Sequence, residues 1–497
     1  MLKARLVIDF TLAAEVTGRS LPDLIPFKSK KKEHSLRAIH LCLIVTTMLM
    51  AASNLVAPAQ RPSSPMGMNR PAGLVRSGSA PDWLRSGVIY EVFPRAFSAE
   101  GNLNGVTAGL DRLKALGVTV VWLMPIHPVG QLKKLGTDGS PYAVRDYYAI
   151  APEYGTEEDL RHLVEEAHRR GMKVILDMVA DHTAFDSVMM AHPDFYKHDK
   201  DGHLISPHGW KDVAALDYSN PALRQYMIGV LTYWVKSFGV DGYRCDAAGE
   251  VPTDFWKQAR RSLEQVNPDI LMLAEASKPE FLRGAFQLDY AWPLLFKLDD
   301  VLMHGAPACD LRKTIERQRA KFPEGALHMM ISDDHDEDRA IVRYGVPGAL
   351  AASALMFTMS GIPLLYNGME AADTTPSAGP ALFETLKIYW QGSQIHPEFR
   401  QFYEFMIPFR KEHSALWKGQ VKWVHNSDEE HVLSYLRTSG DEELLVVINL
   451  SNTPFHGTVE TDSGVWREVK VPLFHDSQAA PPSVSLDAFE FRIFEKK

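Results

Sequence analysis

The stretch Asp241-Gly242-Tyr243-Arg244-Cys245-Asp246 decides the fold, because it predicts a short buried strand that ends in charged side chains. Side chains alternate between the two faces of a strand, so Arg244 and Asp246 point the same way and Cys245 points away from them. An arginine beside an aspartate favours the ionised carboxylate. We therefore predict a charged Asp246, held by Arg244, at the end of this strand.

Two later apolar runs also end in acids. Residues 270–274 lead into Glu275, and residues 327–331 lead into a segment that contains Asp336. One such acid is most simply a solvated strand end or a helix cap, but three in succession favour a shared site. In a parallel β/α barrel, catalytic residues come from the C-terminal ends of several strands. Paired carboxylates there are typical of glycoside hydrolysis, in which one acts as nucleophile or base and the other as acid.

Seven segments match, in chain order, the motifs of one known enzyme family. They are residues 117–125, residues 142–147, Asp177-Met178-Val179-Ala180-Asp181-His182, Gly242-Tyr243-Arg244-Cys245-Asp246, Glu275, Asp334-His335-Asp336 and residues 361–368. By these motifs the chain resembles the α-amylase family of glycoside hydrolases (glycoside hydrolase family 13) from about Ile89 to its C-terminus. Asp181 and Asp334 depart from the family pattern, which has asparagine at both positions.

The resemblance implies an α/β fold, a (β/α)8 TIM barrel with a short domain B insertion after the third strand and a C-terminal antiparallel β-sandwich. A length of 497 residues suits such a barrel with a small partner domain. We predict an N-terminal extension with a signal peptide at 1–59 and a Pro-, Ser- and Gly-rich linker at 60–80. The catalytic barrel follows at 81–417 with its insertion at about 183–218, and the β-sandwich at 418–497.

The resemblance also implies three catalytic acids. Asp246 is the nucleophile, Glu275 the general acid/base, and Asp336 the third acid, which holds the sugar and stabilises the transition state. The physical argument agrees for the first two. Glu275 follows an apolar strand and has no adjacent cation in sequence, which favours a raised pKa and a held proton, whereas the arginine beside Asp246 favours its charged form.

Four further residues are implied in substrate binding. Two histidines would hydrogen-bond sugar hydroxyls, a tyrosine would stack on the sugar ring, and the arginine would hold the nucleophile: His182, His335, Tyr142 and Arg244. The alternative for each histidine is a core residue or a metal ligand. No His-x-x-x-His or cysteine pair surrounds them, so no metal ligand is predicted among the site residues.

Calcium is the one cofactor that the resemblance raises. In the family, the asparagine at the position of Asp181 often gives an oxygen to a structural calcium ion between the barrel and domain B. A carboxylate could serve a hard cation, or it could pair with a basic residue and leave no site. Because the short insertion offers few further oxygen ligands, we predict that no cofactor is required.

Composition and the N-terminal region bear on location and partners. A net charge of -9 and a pI near 6.1 leave no general attraction for nucleic acid. A basic cluster at residues 28–32 precedes an apolar run at 38–52 and a possible cleavage site, Ala57-Pro58-Ala59. This pattern predicts a signal peptide and export to the periplasm or the medium, with no stable membrane partner after cleavage. The alternative is an uncleaved membrane anchor.

Substrate choice depends on residues near the nucleophile. In family terms, a small residue such as Ala247 is typical of enzymes that act on α-1,4 links, which predicts hydrolysis of maltooligosaccharides or other starch-derived glucans. The Lys-His pair that many α-amylases place shortly afterwards is replaced by Gly249-Glu250, which predicts fewer contacts to the leaving-group chain. Four aromatic residues could stack on sugars, although the first and third are more simply core: Trp122, Trp210, Phe255 and Trp256.

Two other function classes share this sequence pattern. A transglycosylase or sugar isomerase would use the same covalent intermediate, with a sugar hydroxyl in place of water as acceptor. Non-catalytic subunits of amino-acid transporters have the same fold, but such proteins lose the catalytic acids. This chain keeps Asp246, Glu275 and Asp336, so hydrolysis is preferred.

Overall fold

The computed structural model describes residues 80–474 and 480–497. The predicted signal peptide and nearly all of the predicted linker lie outside the described residues. The described chain contains a closed barrel, a two-stranded ribbon and a C-terminal pair of sheets.

Eight parallel strands form the barrel, and each is a short buried run of mainly apolar residues. They are Ile89–Val92 (β1), Val120–Leu123 (β2), Lys173–Val179 (β3), Gly242–Asp246 (β6), Leu271–Ala274 (β7), Leu288–Tyr290 (β8), Leu327–Met330 (β9) and Ile362–Tyr366 (β10). The strands are hydrogen-bonded in this order, and β10 pairs with β1 to close the ring. The predicted (β/α)8 barrel is confirmed.

Strand register brings distant charged residues side by side. Arg244 on β6 lies opposite Asp177 on β3 and Leu273 on β7. At the start of β6 the backbone passes very close to β7, since a Cβ on Gly242 would lie 1.9 Å from the carbonyl oxygen of Leu271. Glycine is required there because it alone has no Cβ. The close contact fixes the strand of Asp246 against the strand that leads to Glu275.

Helices surround the barrel and begin and end at clear sequence signals. Asn102 caps the helix Leu103–Leu116 and Gly117 ends it, while Thr156 and Asp159 form a capping box on the next long helix. The described helices are Asp82–Arg85 (α1), Pro94–Phe97 (α2), Leu103–Leu116 (α3), Glu157–Arg169 (α4), Pro221–Phe238 (α5), Thr253–Glu264 (α6), Trp292–His304 (α7), Cys309–Lys321 (α8), Ala340–Thr358 (α9), Gly392–Ile395 (α10), Pro397–Glu412 (α11) and Ser414–Trp417 (α12).

One of these helices is long and apolar enough to cross a membrane by length and composition. It is α9, and 67% of its most apolar window is buried inside the protein. It follows β9 and leads into β10, so it packs as a core helix of the barrel.

A short insertion separates β3 from α5. It contains a two-stranded antiparallel ribbon, His182–Ala184 (β4) and Val213–Ala215 (β5), with short 3-10 turns between them. The insertion was predicted at about 183–218. It stands at the C-terminal end of β3, so its residues border the mouth of the barrel.

The C-terminal chain forms two antiparallel sheets. Their strands are Gln420–Trp423 (β11), Val432–Ser439 (β12), Glu442–Asn449 (β13), Phe455–Thr458 (β14), Trp466–Glu468 (β15), Ser483–Leu486 (β16) and Phe491–Lys496 (β17). The larger sheet has the order β11-β12-β13-β17-β15, and β14 pairs with β16. Apolar residues from both sheets share one core, among them Leu445 and Phe494 from the larger sheet and Phe455 and Leu486 from the smaller. The predicted antiparallel fold of this region is confirmed.

Candidate active site

A single buried guanidinium group joins three carboxylates at the C-terminal end of the barrel. Arg244 has no exposed surface. Its Nη1 donates to Asp177 Oδ1 at 3.0 Å and to Asp246 Oδ1 at 2.9 Å. Its Nη2 lies 2.8 Å from Glu275 Oε2. The arginine therefore holds the two residues expected to act as nucleophile and acid in one place.

The contact between Arg244 and Glu275 corrects one expectation. The sequence suggested that Glu275 has no cation beside it, and this is wrong, because the arginine of the neighbouring strand reaches it. Burial still raises the pKa of Glu275 to about 7, against the opposing charge of Arg244 and with a contribution from Asp246. Glu275 Oε2 also accepts a hydrogen bond of 2.7 Å from the backbone N–H of Ala247.

Asp246 also departs from expectation. We expected Arg244 to keep its carboxylate charged, but burial outweighs the arginine and raises the pKa of Asp246 to about 6, with Asp177 and Asp181 adding to the rise. The pKa of Asp246 remains below that of Glu275. The pKa of Glu275 is therefore the higher of the two, as expected. Burial raises both pKa values, however, and the charge of Arg244 does not keep that of Asp246 low.

Opposite the arginine, a protonated histidine is held between acids. His335 Nδ1 lies 2.5 Å from Glu91 Oε1, and its Nε2 lies 2.7 Å from the hydroxyl of Tyr142 and 3.4 Å from Asp336 Oδ2. Burial alone would lower the pKa of His335, but the charges of Asp336 and Glu91 raise it to about 10. The imidazole is therefore a cation at neutral pH, beside the half-exposed carboxylate of Asp336.

The family model for the catalytic domain of alpha-amylase matches residues 79–213 and 207–434. This match covers most of the chain, and its motifs converge on the acid cluster around Arg244. The chain belongs to the alpha-amylase family.

Related proteins support this assignment. Alpha-amylase MalA from Haloarcula japonica is 28% identical over 400 residues, which cover 76% of this chain and 57% of that protein. The crystal structure of a noncanonic maltogenic alpha-amylase, AmyB from Thermotoga neapolitana, has 31% identity and a TM-score of 0.73 over 83% of this chain and 97% of that chain. The crystal structure of an alpha-amylase from Lactobacillus plantarum has 30% identity and a TM-score of 0.73, over 84% of this chain and 100% of that chain. This chain spans just over half the length of the Haloarcula protein.

Tyr142 has one ring face already occupied. Its ring stacks on that of His335 with centroids 5.3 Å apart and an angle of 19° between planes. A sugar could therefore stack only on the other face of the ring. The Tyr142 hydroxyl also donates to Asp177 Oδ2 at 3.2 Å, which ties the ring to the acid cluster.

His182 lies at the other edge of the site. Its Nε2 is 3.2 Å from the backbone oxygen of Tyr142, and its Nδ1 is 2.9 Å from Asp181 Oδ1. Burial opposes protonation of His182, but the charge of Asp181 raises its pKa above the ordinary value. Asp181, which stands where the family has asparagine, therefore pairs with His182, the next residue in the chain.

The side chains around Asp181 bear on the calcium question. Its Oδ1 has the contact with His182, while its buried Oδ2 has no hydrogen-bond partner within the described part of the chain. Among the described residues, the potential metal ligands whose atoms lie within 4.8 Å of one another are Asp181, His182 and Asp246. Calcium takes six to eight oxygen ligands. This set of described side chains offers two carboxylates and an imidazole, fewer oxygen atoms than calcium takes.

Three of the four candidate stacking residues are excluded from sugar contact. No surface is exposed on Trp122 and Phe255, which agrees with the core packing expected of them. Trp256 is also fully buried in the core. Trp210 is 43% exposed, and its ring centre lies 5.4 Å from that of His182. It is the member of the four that a glucan can reach.

Several site residues were given no role from the sequence. Glu91 on β1 holds His335, Asp177 on β3 shares Arg244, and the hydroxyl of Tyr290 on β8 accepts a 3.1 Å hydrogen bond from Arg244 Nε. Glu91 carried a usable signal, since a charged residue inside an otherwise apolar strand needs a buried partner. Tyr290 carried none, because its strand was recognised only in the structure.

Proposed function

We propose that this enzyme hydrolyses α-1,4-glucosidic bonds of maltooligosaccharides by double displacement, with retention of anomeric configuration. The observation that carries the proposal is that Arg244 holds both Asp246 and Glu275, the pKa of one near 6 and that of the other near 7. At near-neutral pH, one carboxylate is charged while the other keeps its proton. This is the division of roles that a retaining glycosidase needs.

In the first step, an oxygen of Asp246 attacks the anomeric carbon while Glu275 gives its proton to the departing glycosidic oxygen. The bond to the leaving sugar breaks as the bond to Asp246 forms. In the second step, Glu275 takes a proton from water, and the water oxygen replaces Asp246 at the same carbon. Two inversions give net retention, and both residues return to their starting states.

The other side of the site stabilises positive charge on the sugar ring. Asp336 is exposed to the cleft and has the protonated imidazole of His335 beside it. We assign Asp336 the role of holding hydroxyls of the sugar bound next to Asp246, and the free ring face of Tyr142 the role of stacking on it. The names of the relatives, alpha-amylases and a maltogenic alpha-amylase, support an α-glucan as substrate.

We further propose export and independence from bound metal. The apolar run at 38–52 supports a signal peptide, and cell fractionation of the expressed full chain tests it. Metal independence is supported by the poor fit of the group around Asp181 to calcium. Neither proposal changes the catalytic steps.

Early-time proton NMR of maltotetraose hydrolysis tests the mechanism. We expect the α-anomer of the new reducing end to be released first, before mutarotation. Release of the β-anomer would exclude a covalent intermediate on Asp246. Glucans longer than maltotetraose among the products would instead favour transglycosylation. Glu275→Gln is the matched control, since it keeps the shape of the site but cannot donate a proton.

A further inference from the structure

We propose that Lys278 binds the leaving-group side of the glucan and supplies the cation that the segment after the nucleophile lacks. This inference rests on the proposed function. Lys278 is three residues after Glu275, and its Nζ donates to the backbone oxygen of Gly249 at 2.5 Å. Gly249 is three residues after Asp246. The ammonium group therefore bridges the loop of the acid and the loop of the nucleophile.

The side chain of Lys278 fills the space beside Gly249. A Cβ placed on Gly249 would lie 3.3 Å from Lys278 Nζ and 3.4 Å from its Cε. A lysine at position 249, as in the family pattern, would therefore compete with Lys278 for the same space. We expected from the sequence that replacing that lysine by Gly249 removes a cation from this side of the cleft. In this proposal Lys278 of the neighbouring loop supplies a cation there instead.

The position of Lys278 relative to the acid decides which part of the substrate it meets. Glu275 gives its proton to the oxygen of the leaving sugar, so groups beside Glu275 and beyond Asp246 face the leaving chain. The backbone N–H of Ala247 contacts Glu275 at 2.7 Å, and the short 3-10 turn Ala248–Glu250 continues from it. Lys278 is bonded to that turn.

Glu250 of this turn and two exposed residues of the insertion, His208 and Trp210, complete the same rim. Glu250 Oε1 lies 3.8 Å from His208 Nε2, and the ring of His208 lies 4.8 Å from that of Trp210. These three side chains are between two-fifths and about half exposed. An aromatic ring beside charged hydrogen-bonding groups is a surface that suits a sugar, with stacking on one face and bonds to its hydroxyls.

An ammonium group has three N–H donors, and Gly249 takes one of them. The remaining donors can reach hydroxyls of a sugar that enters this rim. Lys278 is thus a specificity-determining residue for substrates whose leaving group is itself a glucan chain. It has no part in proton transfer, so substrates with a compact non-sugar leaving group bypass it.

The test compares two substrates in one variant. Lys278→Met keeps the length of the side chain and removes its charge. We expect kcat/KM on maltohexaose to fall about 10-fold, the effect of losing one hydrogen bond to a charged group. On 4-nitrophenyl α-maltoside, which carries no sugar on the leaving-group side, we expect a change of less than about 2-fold. Lys236→Met, on the exposed face of α5, is the matched control and should change neither rate.

A second variant moves the cation back. Gly249→Lys combined with Lys278→Ala should recover most of the lost kcat/KM on maltohexaose, since the new lysine occupies the vacated space. Equal losses on both substrates in Lys278→Met, or no loss on either, would overturn the assignment, as would a double variant that stays as slow as Lys278→Met. If the wild-type enzyme cleaved neither substrate, the proposed function would fail instead, so the two failures are distinguishable.

Discussion

The protein buries arginines in two regions with opposite surroundings. At the catalytic end of the barrel, Arg244 is bonded to carboxylates. Where the barrel meets the C-terminal sheets, Arg437 donates to the backbone oxygens of Ala415 and Leu416 and to the Ser360 hydroxyl. Arg410 beside it donates to the backbone oxygens of residues 357, 359 and 416.

The pKa values of these arginines separate the two kinds of region. Burial lowers the pKa of Arg437 to about 10 and that of Arg410 to about 9. Burial acts on Arg244 in the same direction, but Asp177 and Glu275 overcome it and raise its pKa well above the ordinary value. Backbone oxygens do not titrate, so Arg410 and Arg437 stabilise the fold and have no proton-exchanging partner among these contacts. Carboxylates do titrate, so the cluster around Arg244 can exchange protons.

The largest expected effect comes from removing the charge of one carboxylate in that cluster. Asp246→Asn should lower kcat on maltotetraose by at least about 10⁴-fold, since it removes the proposed nucleophile. Asp333→Asn is the matched control: Asp333 is also buried, and burial raises its pKa to about 6, but it contacts the N-terminus of α9 rather than Arg244. A comparable loss in both variants would show that buried acids matter here for folding and not for chemistry.

Exchange of one arginine in each region sharpens the comparison. Arg437→Met should lower the free energy of unfolding by about 3 kcal/mol, because it leaves several buried carbonyls without a donor. Its kcat per folded molecule should stay near that of the wild type. Arg244→Met should lower kcat by about 10²- to 10³-fold, the effect of losing a charged group at a reacting centre.

Urea denaturation and active-site titration measure both variants. If Arg437→Met lowered kcat per folded molecule as much as Arg244→Met does, the region of Arg437 would not be purely structural. The comparison depends on kcat being expressed per folded molecule, since the first variant is expected to reduce the folded fraction.

The pH dependence tests the acid pair directly. kcat/KM should rise as Asp246 ionises near pH 6 and fall as Glu275 loses its proton near pH 7, giving a narrow bell. The two apparent pKa values belong to the coupled pair. In Glu275→Gln, the fall on the alkaline side should disappear from the residual activity. A flat profile from pH 5 to 9 would contradict the raised pKa values.

The same shifts predict a trend in stability. Both acids bind a proton more tightly in the folded enzyme than in the unfolded chain, where carboxyl pKa values lie near 4. Stability from this pair is therefore present at low pH and is lost as pH rises from about 4 to about 7. Thermal unfolding of wild type and Glu275→Gln across this range measures the contribution.

The smallest expected effect is that of a chelator. Because the group around Asp181 fits calcium poorly, EDTA should leave the melting temperature within about 1 °C, less than the shift that a change of 1 kcal/mol produces in a domain of this size. A sharp fall that added calcium reverses would show that the pair Asp181–His182 opens to admit the ion.

The sequence was sufficient for the barrel and for the residues of its motifs, since strand ends and alternation are local properties. It was insufficient for contacts between strands far apart in the chain. Glu91 is 244 residues from His335, and no helical or strand periodicity in the sequence relates two positions so far apart. The balance between burial and charge on Asp246 also needed the structure, because alternation places Arg244 beside it but does not reveal how completely both are removed from water.

The tight passage between β6 and β7 has a consequence for laboratory evolution. Every single-base change of a glycine codon that yields another residue adds a Cβ, and at Gly242 that atom would lie 1.9 Å from a backbone oxygen of β7. A random library screened for turnover should therefore show position 242 as intolerant to all replacements, although its residue has no side chain to offer a substrate. Such a screen would mark the position as catalytic, when what it detects is the spacing between two strands.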